Sequence, residues 1–162
     1  MTPPYELVCR GKRRPSFIPH DLRYFHDHFV GQPMASGWQI PPAKLIGASY
    51  RPADFVIWMV MAPIVSERAK EALSGICAGL VEFLPFHPIG RHSYFALNVL
   101  SFDEGAPIFK RDPYGPALVD QAFGNLLRDH ALSGVELGDP ADDIIRKAAL
   151  DLPFNVFPGL VG

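Results

Sequence analysis

The longest hydrophobic run lies in the middle of the chain. Residues 54–61, DFVIWMVM, are almost continuously apolar and rich in β-branched and aromatic side chains, which predicts a central strand covered on both faces. Pro63 is expected to end this strand. The following VSERAKEALSG has helical spacing and predicts a helix with Ser66 as N-cap and Glu67 near the positive helix end. The buried stripe of this helix is predicted to be Ala69, Ala72, Leu73 and Ile76.

Shorter patterns flank this central part. GLVEFLPF and SYFALNVLSF, joined by the turn HPIGRH, predict a β-hairpin, and YELVC predicts a short strand near the N-terminus. PHDLRYFHDHF predicts a short helix with Asp21 as N-cap. Its apolar side would be formed by Leu22, Phe25 and Phe29. Residues 30–53 contain Gly, Pro and Ser at short intervals and are predicted to be extended and irregular.

The last third of the chain is predicted to be a loop followed by helices. DEGAPIFKRDPYGP has turn signals throughout, and ALVDQAFGNLLRDHAL predicts an amphipathic helix. The core side of that helix is predicted to be Val119, Ala122, Phe123, Leu126 and Leu127. DPADDIIRKAALDL predicts another helix, with Asp139 as N-cap, Pro140 in the first position, and Asp142 and Asp143 favoured by the helix dipole.

These elements predict an α+β fold, because strands come first and helices concentrate afterwards. The expected architecture is a small mixed or antiparallel sheet with helices packed on it. A length of 162 residues fits one domain, residues 1–162, and no internal repeat is evident. Within it we expect an irregular N-terminal part (1–53), a strand–helix–hairpin core (54–103), and an acidic loop with a helical C-terminal part (104–162).

Composition narrows the class of protein. Hydrophobic residues make up 48% and charged residues 20%, which excludes a disordered chain. The chain has 17 prolines and 14 glycines, so we expect short elements separated by many turns. Its two cysteines, Cys9 and Cys77, fit no zinc or redox spacing and favour a reducing compartment. Since no signal peptide is recognisable and the longest apolar run is too short to cross a bilayer, a cytoplasmic protein is expected.

Charge is unevenly distributed although the net charge is only −2. Residues 1–30 carry five basic and three acidic side chains, a balance of +2. Residues 101–143 carry nine acidic and three basic side chains, a balance of −6. Such an acidic segment could form a face that meets a basic partner, or it could be a solvated face without a partner.

Three of the six histidines lie in the stretch HDLRYFHDH, which raises the possibility of a metal site at His20, His26 and His28. In a helix, His26 and His28 would point about 200° apart and could not chelate one ion together. In a strand they would share a face, but the apolar residues of the stretch would then lose theirs. No HExxH, P-loop, GxGxxG or GxSxG motif supports an enzyme. A small metal-dependent enzyme centred on His20, His26 and His28 is therefore only the alternative function.

The central blocks DFVIWMVMAPIVSERAKEAL, GLVEFLPF and YFALNVLSFDE resemble the Imm11-type immunity proteins of bacterial polymorphic toxin systems. The resemblance covers residues 54–103, about a third of the chain. The matching residues are Val65, Ser66, Glu67, Lys70, Leu73, Glu82, Phe83, Leu84, Pro85, Tyr94, Leu97, Asn98, Val99 and Asp103. The resemblance implies a cytoplasmic, non-enzymatic protein that binds and neutralises one cognate toxin, with no catalytic residues, cofactor or metal.

The candidate partner-binding residues lie on the loop that follows the predicted hairpin. Asp103, Glu104 and Asp112 would present carboxylates to a basic toxin surface, which speeds association and gives specificity. Phe109 and Tyr114, on the same loop, are the candidate aromatic anchors. The partner is therefore expected to be a toxin domain, with neither nucleic acid nor membrane involved.

Overall fold

A computed structural model describes residues 2–59 and 61–140 of the chain. In these residues the fold is α+β, as predicted, with ten strands, two α-helices and one 3-10 helix. The strands are β1 (Tyr5–Cys9), β2 (Ser16–Pro19), β3 (Ala43–Ile46), β4 (Phe55–Met59), β5 (Ala62–Ser66), β6 (Val81–Pro85), β7 (Tyr94–Val99), β8 (Ile108–Phe109), β9 (Leu118–Val119) and β10 (Val135–Gly138). The helices are the 3-10 helix Leu22–His26, α1 (Glu67–Leu73) and α2 (Gln121–Asp129).

One four-stranded sheet is built from the central blocks of the sequence. Its strand order is β4-β5-β7-β6, and all neighbouring pairs are antiparallel. Because β5 and β6 are both antiparallel to β7, they run parallel to each other and are connected through α1. The predicted hairpin is confirmed as β6 paired with β7, in a register that places Glu82 opposite Asn98.

A second four-stranded sheet repeats this arrangement with a different chain order. Its strand order is β8-β9-β1-β10, again antiparallel throughout. β9 and β10 run parallel on either side of β1 and are connected through α2, as β5 and β6 are through α1. The place of β7 is taken by β1, which comes from the N-terminal end of the described chain. A single sheet was predicted, and the repeat was not recognised. The two units, β4–β7 with α1 and β8–β10 with β1 and α2, have the same strand arrangement but little sequence in common.

Each unit begins its helix with a side-chain cap. The Ser66 hydroxyl oxygen accepts a hydrogen bond from the Ala69 backbone N–H at 3.1 Å, which confirms the predicted N-cap of α1. The Asp120 carboxylate does the same for the Phe123 N–H at 2.9 Å in α2. Since residue 120 is the cap, Leu118 and Val119 belong to β9, so the expectation that Val119 lies on the helix is wrong.

We expect Ser66→Ala to destabilise the protein by about 2 kcal/mol and Asp120→Ala by about 1 kcal/mol. Both substitutions remove a cap, but Ser66 also donates a hydrogen bond to the Asp54 carboxylate at 2.7 Å. Urea unfolding at pH 7 measures both differences. Equal losses would show that the Ser66–Asp54 bond adds nothing to the cap.

Two hydrophobic clusters cover opposite faces of the first sheet. Phe55 of β4 packs with residues from α1, α2 and the second sheet, whereas Val56 and Trp58 pack with Phe17, Phe25, Phe29 and Phe86. The prediction that this strand is covered on both faces is therefore confirmed. Its predicted central position is wrong, because β4 is an edge strand of its sheet.

The expected role of Pro63 is also wrong. Pro63 lies inside β5, opposite a shift in the β4–β5 register between Val56 and Met59. A β-bulge of this kind accommodates proline, because the missing N–H is not needed by a ladder bond there.

Two further segments differ from their predictions. Residues 30–53 are not irregular throughout, since β3 pairs with β2 as a two-stranded sheet. The stretch 20–28 forms a 3-10 helix, although Asp21 caps it as predicted by accepting from the Arg23 N–H at 2.9 Å. From residue 141 onward the predicted helix DPADDIIRKAALDL, with Asp142 and Asp143, lies outside the described residues. Over the described part of the chain, no helix has the length and apolar character needed to cross a membrane.

A polar network centred on the buried Asp54 carboxylate joins the two units. The Asp54 carboxylate accepts hydrogen bonds from Arg68 Nη2 at 2.8 Å and from the Ser133 N–H at 3.0 Å. Arg68 also donates to the carbonyls of His130 and Ala131, at the end of α2. Burial alone would raise the pKa of Asp54, but the hydrogen bonds from Arg68, Ser133 and Ser66 outweigh it and hold that pKa below the usual 3.8.

Gly134 lies at the point where the backbones of the two units are in contact. Its φ of +81° is in the region that favours glycine, and a Cβ there would overlap the Phe55 carbonyl oxygen. The backbone of the second unit can therefore approach β4 closely enough for Phe55 N–H to donate to the Ser133 carbonyl at 3.0 Å.

Candidate functional site

The acidic loop, residues 101–116, is held in a defined conformation. Asp103 accepts a hydrogen bond from the Gly105 N–H at 2.9 Å, and Asp112 accepts one from the Tyr114 N–H at 2.8 Å. Glu104 pairs with Arg111, with 2.7 Å between Oε1 and Nε. These local bonds fix the turns without burying the carboxylates, since Asp103, Glu104 and Asp112 are all exposed.

The two predicted aromatic anchors occupy different environments. Tyr114 is 59% exposed, as a contact residue requires. The expectation that Phe109 lies on an open loop is wrong, because it belongs to β8 and is 1% exposed. Phe102, which the sequence analysis did not single out, is 44% exposed and lies against Gly31, where a Cβ would overlap its ring.

Lys110 supports the loop from beneath. Its side chain is fully buried, and its ammonium group donates to the carbonyl oxygens of Phe29 at 2.7 Å and Pro113 at 2.9 Å. Burial lowers the pKa of Lys110 to about 8, although Asp112 acts in the opposite direction. Lys110 thus fastens the acidic loop to the N-terminal segment. In the sequence Lys110 is one of the three basic residues of segment 101–143, and no local signal distinguishes it from an exposed lysine.

The histidine-rich stretch is part of the same support. His28 stacks on Tyr24, with ring centroids 3.8 Å apart, and its Nδ1 lies 2.6 Å from the Tyr24 carbonyl oxygen. The Tyr114 hydroxyl reaches the His26 carbonyl oxygen at 3.4 Å. His20 and His26 are exposed. Within residues 2–59 and 61–140 no group of three or more His, Cys, Asp or Glu side chains could hold a metal ion.

Two residues of the β6–β7 hairpin hold the segment that follows this stretch. Glu82 accepts hydrogen bonds from the N–H groups of Met34 at 2.7 Å and Ala35 at 3.2 Å. Asn98 donates from Nδ2 to Glu82 at 2.9 Å and to the Gln32 carbonyl at 2.9 Å. The sequence signal for this pair was available, because the predicted hairpin places these polar residues side by side on neighbouring strands.

Three other acidic residues of the −6 segment have other roles. Asp120 caps α2, Glu136 pairs with Arg10 at 2.7 Å, and Asp129 pairs with Arg128 at 3.2 Å. The acidic loop, with Asp103, Glu104, Asp112 and Tyr114, is therefore the part of the predicted binding surface that the structure brings together.

Comparison of the sequence with models of known protein families gives no match, and comparison with curated proteins gives none either.

Proposed function

We propose that this protein is an immunity protein that binds and neutralises a cognate bacterial toxin domain. The observation that carries the proposal is the acidic loop, which exposes three carboxylates and Tyr114 in a conformation fixed before any partner arrives. A fixed loop loses little conformational entropy on binding, so more of the interaction energy contributes to affinity. The protein acts by occupying the toxin rather than by catalysis.

The chemistry of the loop specifies a basic partner surface. Asp103 and Asp112 meet cationic side chains of the toxin, and their charge raises the association rate at low salt. Tyr114 supplies the aromatic contact that slows dissociation. Glu104 contributes less, because Arg111 already neutralises part of its charge.

The resemblance to the Imm11-type proteins supports the same conclusion. Glu82 and Asn98, both within the resembling blocks, hold residues 32–35 by hydrogen bonds. Lys110 holds Phe29, which lies three residues before this segment, to the acidic loop. The resembling residues thus act as a scaffold for the binding surface, and the place of action is the cytoplasm of the cell that makes the toxin.

The test is co-expression of the toxin domain encoded beside this protein. We expect the wild type to restore growth, and the double variant Asp103→Lys/Glu104→Lys and the variant Tyr114→Ala to restore it poorly or not at all. Binding of the purified pair should weaken by roughly tenfold or more in each variant, the size expected when a contact central to an interface is lost. Reversing the two loop charges should lower mainly the association rate, and truncating Tyr114 should raise mainly the dissociation rate.

Asp129→Lys is the matched control, because Asp129 is an exposed carboxylate on α2 outside the acidic loop. It should neutralise the toxin as the wild type does. Neutralisation by all variants alike would place the interface elsewhere on the molecule. Absence of both rescue and complex formation with the wild type would refute the immunity function.

A further inference from the structure

A polar cleft of about 990 Å³ lies at the junction between the two units. Its floor includes the network of Asp54, Ser66, Arg68 and Ser133 described above. Its rim is formed by three arginines from separate segments, Arg14, Arg51 and Arg91, together with His92 and Ser93. None of these rim residues belongs to the acidic loop, so the cleft is a second candidate site and does not depend on the proposed immunity function.

Backbone contacts explain why the three arginines converge. Gly47 is packed so closely on the turn between β1 and β2 that a Cβ there would lie 3.0 Å from the Arg14 carbonyl oxygen. The Tyr50 N–H closes the turn that contains Gly47 by donating to the Gly47 carbonyl at 3.0 Å, and Arg51, the next residue, lines the same cleft as Arg14. The Glu67 N–H donates to the Ser93 carbonyl at 3.2 Å, which brings Arg91 to the start of α1.

The charge of the floor is already compensated, whereas that of the rim is not. Asp54 is neutralised by Arg68 and by the hydroxyl and amide donors around it. Over the described residues, the side chains of Arg14, Arg51 and Arg91 make no hydrogen bond or ion pair. Two carboxylates, Glu67 and Glu71, also line the cleft, but both lie on the wall formed by α1. The guanidinium groups of Arg14, Arg51 and Arg91 are therefore the cationic groups of the cleft that have no partner among the described residues.

We propose that this cleft binds a phosphate-bearing ligand of nucleotide size. Guanidinium groups bind phosphate oxygens through paired hydrogen bonds. Three guanidinium groups that approach from different directions fit the several oxygens of a pyrophosphate better than the two oxygens of a single carboxylate ligand. The volume is at the upper end of the range for small-molecule sites, which is larger than an isolated phosphate needs. Glu67 and Glu71 are placed to accept from the hydroxyl or amino groups of the same ligand.

Isothermal titration calorimetry of the full chain, at low ionic strength with EDTA present, tests this site. The probes are ATP, AMP, inorganic pyrophosphate and a ten-nucleotide single-stranded RNA. We expect saturable one-to-one binding of ATP, weaker binding of AMP and of pyrophosphate, and roughly tenfold or greater weakening of ATP binding in Arg51→Glu and in Arg91→Glu.

Arg23→Glu is the matched control, because Arg23 is exposed, lies outside the cleft and pairs with Asp21. Equal weakening by this variant would overturn the proposal in favour of unspecific attraction to a charged surface. The proposal would also be overturned if the wild type bound none of the probes, or if the RNA bound while ATP and pyrophosphate did not. The circular dichroism spectra and melting temperatures of Arg51→Glu, Arg91→Glu and Arg23→Glu should equal those of the wild type. This would show that weaker binding does not result from unfolding.

Discussion

At pH 8, Glu6→Gln is expected to be more stable than the wild type by about 2–3 kcal/mol. Glu6 lies in β1 between Leu118 and Gly138 and is 3% exposed, and its Oε2 has no hydrogen-bond partner among residues 2–59 and 61–140. Burial raises the pKa of this carboxyl from 4.5 to about 7, because the ionised form is poorly solvated inside the protein. Ionised at pH 8, it therefore opposes folding, and a neutral amide of the same shape does not.

The sign of the pH dependence follows from the raised pKa. Between pH 4.5 and about 7 the folded state binds a proton that the unfolded state has lost, so the stability of the wild type falls as pH rises through this window. Below pH 4.5 the group is protonated in both states, and the advantage of Glu6→Gln should disappear. Urea unfolding at intervals from pH 4.5 to 8 measures the difference between the two proteins, and contributions of the other groups cancel in it.

Glu136→Gln is the matched control, since Glu136 is an exposed glutamate on the neighbouring strand β10 and pairs with Arg10. It should lower stability slightly and show no gain at high pH. If the stabilities of Glu6→Gln and the wild type differ by a constant amount at every pH, the carboxyl of Glu6 does not titrate abnormally and the explanation fails.

The sequence predicted those elements whose signals are local. α1 begins where Ser66 caps it, and the β6–β7 hairpin forms from two alternating segments joined by a short turn. Both need information from fewer than about 25 consecutive residues. The 3-10 helix after Asp21 was located for the same reason, although its type was not, because apolar spacing over a single turn does not distinguish it from an α-helix.

Pairings between distant residues were not predictable in this way. β1 pairs with β9 and β10, which join residue 5 to residue 119 and residue 9 to residue 135. Nothing in YELVC indicates that it takes the place that β7 occupies in the other unit. The edge position of β4 was missed similarly, because a continuous apolar run shows that both faces are covered but not which neighbours the strand has.

At the candidate site, exposure was predicted better than burial. Asp103, Glu104 and Tyr114 lie on the surface as charged and turn-forming residues usually do. Phe109 and Lys110 adjoin them in the sequence but are buried, because two residues of strand, β8, carry the chain back under the loop. Lysine is seldom fully buried, so the sequence favours an exposed Lys110. Its burial is explained by the carbonyl oxygens of Phe29 and Pro113, which accept hydrogen bonds from its ammonium group.

Asp54→Ala is expected to destabilise the protein by about 3–4 kcal/mol, a large part of a total stability of about 5–15 kcal/mol. The substitution removes charged hydrogen bonds from Arg68 and Ser66 and leaves the Ser133 N–H without its acceptor. Arg68 can turn towards solvent because its side chain is 57% exposed, which keeps the loss below that of a fully buried ion pair. Urea unfolding at pH 7 gives the difference, and Asp129→Ala, which removes an exposed carboxylate paired with Arg128, should leave stability unchanged.

The effect of acid distinguishes the charge of Asp54 from its hydrogen-bonding shape. Its folded pKa lies below 3.8, so its stabilising contribution is complete above that pH and is lost as the pH falls through the folded pKa. Asp54→Asn keeps an acceptor oxygen for the Ser133 N–H but cannot be protonated, so its stability relative to wild type should be constant above about pH 4 and the deficit should shrink in stronger acid. This acid window lies below the one in which Glu6 titrates, so the two carboxyls can be separated in one series of measurements. A deficit in Asp54→Asn that persists unchanged to pH 2 would mean that the junction depends on the shape of the side chain at residue 54 and not on its charge.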